Sequence, residues 1–404
     1  MRKSLISLAA IIALASTFAP LPAPWSRVAA AETTAPSGRE AIMAAAQAKL
    51  AGTLIERLGS RGDTTVSTAS LAAAFGIINL GADAAMRTAI AKALGFASAQ
   101  PEKDLETLSD LRGRLAGSGG SFQSASRIVF APANAPNAIL RAGLDKLGID
   151  YAIDDLSRPE AAARIDAWVK EATQGAIPEI LGGPVEKASF VALNALHFKG
   201  RWKTPFDPQL TTMTPFKGLD GKSENVAMMR LGPGMRAFRQ EHNFVGVNLP
   251  FSDERFSLIV VTTTDKPAPA KDFAKVAEWL TRAGFTNRRG DLALPRFSAS
   301  GREDLMPVLD ALGLDKVRHS ATALQGFAPG AMLSQVVQRA MIEVDEEGAE
   351  AAAATAVMGQ RSLESEDGMH MVVDKPFVYA LRDGATGLVL VAGYVGQPPK
   401  GKAM

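Results

Sequence analysis

The sequence predicts an α+β fold in which N-terminal helices pack on large mixed and antiparallel sheets. Two observations carry that expectation. The first third of the 404 residues is patterned for helices, and beyond Ser189 the pattern turns to β-branched and aromatic runs. A third observation concerns organisation: no Pro/Gly-rich linker, internal repeat or low-complexity block separates the two regions, which favours one mixed domain over independent modules.

In chain order, the start "MRKSLISLAAIIALASTFAPLPAPWSRVAAAETT" places two cations before an apolar run, Leu5 to Leu14, and small residues at Ala29–Ala31. That order is expected of a secretory signal peptide over residues 1–31, leaving 32–404 as the mature chain, secreted or periplasmic. An uncleaved anchor is the alternative reading. The uninterrupted apolar run is short for a span of ~20 residues, and Pro20, Pro22 and Pro24 interrupt the chain soon after it. "AIMAAAQAKLAGTLIERLG" then carries Ile42, Leu50, Leu54 and Leu58 at helical spacing. "STASLAAAFGIINLGADAAMRTAIAKALGF" predicts two helices, with Ser67 or Ser70 as a cap and Gly81 as the break. "RPEAAARIDAWVKEATQG" predicts another, from Pro159 to Gly175. "SFVALNALHF", "FVGVNLPF" and "RFSLIVVTTT" predict strands, the last buried on both faces. A last helix pair is expected around "EDLMPVLDALGL", and "KPFVYALRDGATGLVLVAGYVGQP" predicts a hairpin turning at Asp383-Gly384 and Gly387.

Composition narrows the function. The formal charge is +2, and removing residues 1–31 takes away Arg2, Lys3 and Arg27 without any acid, so the mature body is near neutral. With no lysine/arginine stripe, nucleic acid is not an expected partner, and no later segment predicts a membrane span. Cysteine is absent, so stability rests on a core that 47% hydrophobic composition can build. The four histidines, His197, His242, His319 and His370, lack metal-ligand spacing; His197 is expected in a core or interface. There is no nucleophile elbow, phosphate loop or dinucleotide fingerprint, and "GSGGS" at 117–121 is a flexible loop. No enzyme, metal or cofactor is expected.

One stretch remains to be explained, "VDEEGAEAAAATAVMGQRS" from Val344 to Ser362. It would suit a helix by propensity, yet offers almost no apolar stripe for docking one. Taken in alternation, Ala349, Ala351, Ala353, Thr355 and Val357 form one uncharged parity of small side chains. The other holds Gly348, Glu350, Ala352, Ala354 and Ala356, whose single charge can face solvent. Such a segment could slot between two strands of a packed sheet, where bulk would clash or strand a charge. Gly348 supplies backbone freedom for a hinge, and "QVVQRAMIEVDEE" alternates as the strand from which the insert would fold back.

These residues resemble the reactive-loop hinge of the serpin family: Glu346-Glu347-Gly348, a small Ala349, Glu350, then Ala351, Ala352, Ala353, Ala354 and Thr355. "NALHFKGRWKTPF" resembles a second family signature through Asn194, Phe198, Lys199, Gly200, Trp202 and Phe206. "DKPFVYALRDGATGLVLVAGYVGQP" resembles a third, and weaker likenesses extend the resemblance from Ala41 to Pro398. The resemblance implies a single serpin-like domain over 32–404 with a reactive loop at about 347–373. It implies a monomeric suicide-substrate inhibitor of serine proteases, with cysteine proteases as a further class and a noninhibitory binding protein as the alternative. The implied reactive bond is Ser362–Leu363 by the commonest family spacing, or Arg361–Ser362 by a tolerated shorter one. Arg361 would suit a trypsin-like pocket, while Met358 would suit an elastase-like enzyme. The resemblance ties Ser67, Ser70, Asn194, Lys199, Trp202 and Arg296 to sheet opening, with Arg296 able to pair with Glu346 and Trp202 packing where the loop enters the sheet. Two departures fall in the same regions. Ser67-Thr68 stands where the family usually has Ser-Pro, and Gln338 where a histidine is common.

Overall fold

Local signals start the helices where the sequence places them. The computed structural model describes residues 38–96, 100–116, 122–198, 200–320, 322–327, 330–348 and 368–398. The leader, Lys199, the hinge positions Ala349 to Thr355 and the bond at Arg361, Ser362 and Leu363 lie outside these residues, as does the 117–121 loop. Helix α1 (Gly38–Leu58) buries Leu50, Leu54 and Leu58, but Ile42 is 62% exposed, outside the expected stripe. Helix α2 (Thr68–Gly81) is capped by the Ser67 hydroxyl, which accepts from Ser70 N–H, and α3 (Ala84–Leu94) by Asp83. Then come α4 (Pro101–Ala116), α5 (Ala138–Leu147) and α6 (Pro159–Ala172), the last opening on proline as expected.

The strands, in chain order, are β1 (Thr64–Val66), β2 (Phe122–Phe130), β3 (Asp150–Ile153), β4 (Phe190–Phe198), β5 (Thr212–Lys217), β6 (Ser223–Glu241) and β7 (Phe244–Pro250). After these come β8 (Phe256–Thr263), β9 (Thr286–Pro295), β10 (Phe297–Asp304), β11 (Leu333–Val344), β12 (Met369–Val372), β13 (Phe377–Asp383) and β14 (Val389–Val395). One sheet runs β10-β11-β4-β2-β3. The other runs β1-β14-β13-β8-β7-β6-β9-β12, with β5 paired to β6. Strand β8 is buried at every position, and β13–β14 is the expected hairpin. Strand β2 corrects the expectation of an all-helical first third: its alternating serines hide an edge-to-edge partner for β4.

The five-stranded sheet is sandwiched, which explains its apolar strands. Even-numbered residues of β4 (Ala192, Leu196) and β11 (Val336, Ala340, Ile342) join the main core with α2. Odd-numbered ones (Val191, Leu193, Ala195, Val337) pack on Ala162, Ile165 and Val169 of α6. Removing that helical cover would expose apolar area worth ~25 cal/mol per Å².

Candidate functional site

In the five-stranded sheet β10–β11 and β4–β2 are antiparallel, whereas β2–β3 at the edge and β11–β4 at the centre run parallel, the latter in register from Gln335↔Val191 to Ile342↔Phe198. Parallel pairing is somewhat weaker per residue. A chain leaving the C-terminal end of β11 and folding back would be antiparallel to both strands. The hinge leaves from that end, directly after Val344.

At that end the hinge turn is held from four directions. Asp345 Oδ1 accepts the N–H groups of Glu347 and Gly348, each at 3.0 Å, while Asp345 N–H donates to Gly348 O at 2.9 Å. Gly348 has φ +139°, and a Cβ there would run into the Gly200 carbonyl, so glycine is required. Gly348 already makes an antiparallel bridge to Arg201, just beyond β4. Trp202 is 4% exposed and stacks on Phe251 at 4.5 Å with 9° between rings; its indole N–H donates to Asp345 O at 2.8 Å. Its backbone N–H donates to Glu347 O at 2.9 Å, and Phe206 N–H to Glu346 O at 2.8 Å.

Glu346 is buried and receives Arg296 through Nη2 at 2.6 Å and Nε at 3.1 Å, with the Thr211 hydroxyl at 2.6 Å. The pairing of Glu346 with Arg296 that the family likeness suggested is therefore present. Burial pushes the Glu346 carboxyl up, but the hydrogen bonds from Arg296 and Thr211, a backbone bond and the Arg296 charge together hold it below its ordinary range. Its neighbour Asp345 goes the other way, raised mainly by burial and further by the nearby Glu346 and Glu347 charges, against the two backbone donors. The signs differ accordingly. Glu346 contributes stability above its unfolded pKa of about 4.3, lost as pH falls through the lower folded value. Asp345 contributes at low pH and loses that contribution as pH rises through its raised value. Glu346→Gln is expected to cost about 2–3 kcal/mol of stability at pH 7, from unpairing a half-buried Arg, and to melt correspondingly lower. Melts compared across pH should show the difference between variant and wild type constant above the unfolded carboxyl value of about 4.3 and shrinking only as pH falls below it.

Midway along the β11–β4 seam lies a second cluster. The Gln338 amide holds the Ser67 backbone at both ends: Ser67 N–H donates to Oε1 at 2.5 Å and Nε2 donates to Ser67 O at 2.7 Å. Ser70 Oγ donates to Asn194 Oδ1 and shares a hydrogen bond with Ser67 Oγ at 2.7 Å, while Asn194 Nδ2 donates to Ser126 Oγ at 2.7 Å. Gln338 and Asn194 are register partners across the seam. The start of α2 thus clasps both strands, and the Thr68 hydroxyl bonds Val389 O in the other sheet. A cavity of about 20 Å³ lies beneath, lined by Ser70, Leu71, Ser126, Ala192, Asn194 and Gln338. Gln338→Ala would strand the Ser67 N–H, at about 1–3 kcal/mol, while Ser67 O keeps the Leu71 N–H at 3.3 Å. Its melting temperature is expected to drop by several degrees in differential scanning calorimetry, whereas Asp265→Ala, in an exposed bend, should leave it unchanged.

Cover over the seam is graded. On the α6 side Glu343 is exposed and Met341 half-buried, but Val337 is fully covered. An entering strand would meet solvent first and packed helix deeper in, matching a segment with Glu350 early and alanines after it.

The structure thus gathers Ser67, Ser70 and Asn194 into one cluster, and Trp202, Arg296, Glu346, Glu347 and Gly348 into another. Sequence reasoning did not place Thr211, Ser126 or Asp345 in these clusters. Asp345 had a legible signal, an Asx residue three before glycine; Thr211 and Ser126 had none. His197 is half-buried on β4. Among the described residues no group of acids and histidines could hold a metal, and no helix is long and apolar enough to cross a membrane.

Comparison with known proteins gives one family. A model described as Serpin (serine protease inhibitor) matches residues 45–398. Glia-derived nexin of Mus musculus is 31% identical over 259 residues, 59% of this chain and 63% of the relative. Plasminogen activator inhibitor 1 of Sus scrofa is 30% identical over 249 residues, 58% of this chain and 61% of the relative. These alignments span about three fifths of the relatives' length. Human thyroxine-binding globulin, solved in complex with thyroxine, superposes with a TM-score of 0.78 at 21% identity, covering 89% of this chain and 99% of that one, a likeness of fold.

Proposed function

The chain belongs to the serpin family, and from that premise we propose that it inhibits serine proteases, with cysteine proteases a further class, as a decoy substrate. A protease attacks the loop at 347–373 with its own nucleophile and forms an acyl-enzyme, the amine of the downstream half being the leaving group while β12–β14 stay paired in their sheet. The upstream half then enters the β11–β4 seam as a new central strand, carrying the protease with it and stalling deacylation. Serpin loop insertion is an established instance of strand addition and of released strain. The observation that carries the reading for this chain is the parallel β11–β4 pair with a small-residue segment hinged at its open end. Insertion exchanges one parallel ladder for two antiparallel ones.

The favoured bond is Arg361–Ser362, because Arg361 is the loop's strong specificity determinant and suits an acidic trypsin-like pocket; Ser362–Leu363 and an elastase-like enzyme at Met358 are the alternatives. Residues 1–31 are an export leader and 32–404 the mature single domain, working as a monomer outside the cytoplasm. The test is incubation with trypsin-like and elastase-like proteases. A complex that survives boiling in detergent supports the reading, and mass spectrometry of the released C-terminal peptide identifies the bond. The second reading, a noninhibitory binding protein, is favoured by the likeness to thyroxine-binding globulin. Clean cleavage without a complex would select it.

A further inference from the structure

The far end of the five-stranded sheet, opposite the hinge, carries an apolar surface that neither the hinge nor the Ser67 clasp accounts for. Leu333 of β11, Phe190 of β4, Phe130 of β2 and Ile153 of β3 form one register row across that end. The first three are buried, but Ile153 is 52% exposed, and Met332, just before Leu333, is 37% exposed. Phe327 stacks on Phe190 at 5.5 Å with 4° between rings, and the Asn137 side chain donates to Gly326 O at 2.8 Å, which sets the start of α5 beside the row. Ile139 in the first turn of α5 is 73% exposed, and Pro132, Ala133 and Ala135 before it are exposed too. Charges stand at the border: Arg141, the Glu186–Lys187 turn, and Asp154, which Arg164 engages. Large aliphatic side chains gathered in the open in this way mark a contact surface.

The length of the loop outside the described residues names the occupant. On the inhibitory reading the inserting strand continues the antiparallel Gly348–Arg201 bridge pair by pair, which brings Thr355 opposite Asn194 and Gly359 opposite Phe190. Arg361, which carries the enzyme when the favoured bond is cut, then emerges just past the row, and the enzyme stands against this surface. A protein pulled out of its native packing exposes apolar side chains of its own. We propose that Ile139, Ile153 and Met332 form an apolar seat that buries the opened interior of the captured protease and so prolongs the trapped acyl-enzyme. This rests on the inhibitory reading. Release needs water to hydrolyse the acyl ester, returning the enzyme's hydroxyl and leaving Arg361 with a free carboxylate. The seat acts after insertion, so it governs how long the complex lasts and leaves the speed of capture alone.

The experiment uses the full chain with trypsin. Complex is formed, free enzyme is removed, and decay is followed by the recovery of proteolytic activity. Ile139→Lys with Met332→Lys is expected to shorten the half-life about tenfold, the effect of losing the burial of one aliphatic side chain. The rate of complex formation and the inhibitor consumed per enzyme should stay at wild-type values. Ile139→Gln with Met332→Gln, gentler on folding, should shorten the half-life partway, and Ile42→Lys, at the exposed isoleucine of α1, should leave it unchanged. Unchanged half-lives in both folded double variants, or a like shortening in Ile42→Lys, overturn the seat. So does a dimer of free wild type, seen by sedimentation and abolished by the lysine pair, which would give the surface to a second copy. Failure of wild type to form any complex overturns the inhibitory reading, and the seat with it.

Discussion

Ala353→Arg is expected to convert the inhibitor into a substrate. The variant should be cleaved at wild-type speed but form no detergent-stable complex, with the number of inhibitor molecules consumed per protease captured rising at least tenfold. The reason is a race: the acyl-enzyme either hydrolyses or is overtaken by strand insertion. A delay of only about 1.4 kcal/mol in the insertion barrier costs a factor of ten. A guanidinium on the inward parity of an inserting strand faces the core shared by β4, β11 and α2, where Ala192, Val336 and Ala340 leave no partner for a charge. Burying it unpaired costs several kcal/mol. Ala352→Glu, on the other parity, is the control, with a smaller effect. Titration of active trypsin against each variant reads the ratio directly. If Ala353→Arg captured protease with wild-type economy, the seam would not be the destination of the loop.

Severing the loop should also raise the melting temperature. Ten or so added backbone hydrogen bonds, at ~1 kcal/mol each, set the scale of the gain, together with apolar burial under the new strand. For a chain of this length 1 kcal/mol corresponds to about 1–2 °C, so a rise on the order of 10 °C or more is expected. Calorimetry before and after limited proteolysis within 355–367 measures it. Equal or lower melting of the nicked form would leave the intact fold without stored free energy. The gain should fall in Ala353→Arg, which ties the two results to one cause.

Much of this architecture was legible in the sequence because its signals are local. Ser67 caps a helix, Pro159 opens one, and the β13–β14 turn announces itself through Asp383 and Gly384. Strand β6 was not legible, because Gly232-Pro233-Gly234 reads as a turn and interrupts a 19-residue strand. Strand β2 was hidden by Ser124 and Ser126, and α4 by its polarity. The hinge residues could be named from their order, and the Arg296–Glu346 pair, 50 residues apart, through the family likeness, but the Gln338–Ser67 clasp across 271 residues could not. Local propensity carries no trace of such contacts, and the parallel direction of β11 beside β4 is likewise a property of the assembled sheet.

The bridge between Gly348 and Arg201 bears on timing. On the proposed insertion it is the first tooth of a zipper already engaged, so the entropic cost of bringing the two segments together is met before any enzyme arrives. Closure then advances pair by pair from that tooth. Substitutions beside it should change how fast the zipper runs, and those at its far end chiefly how firmly it stays shut.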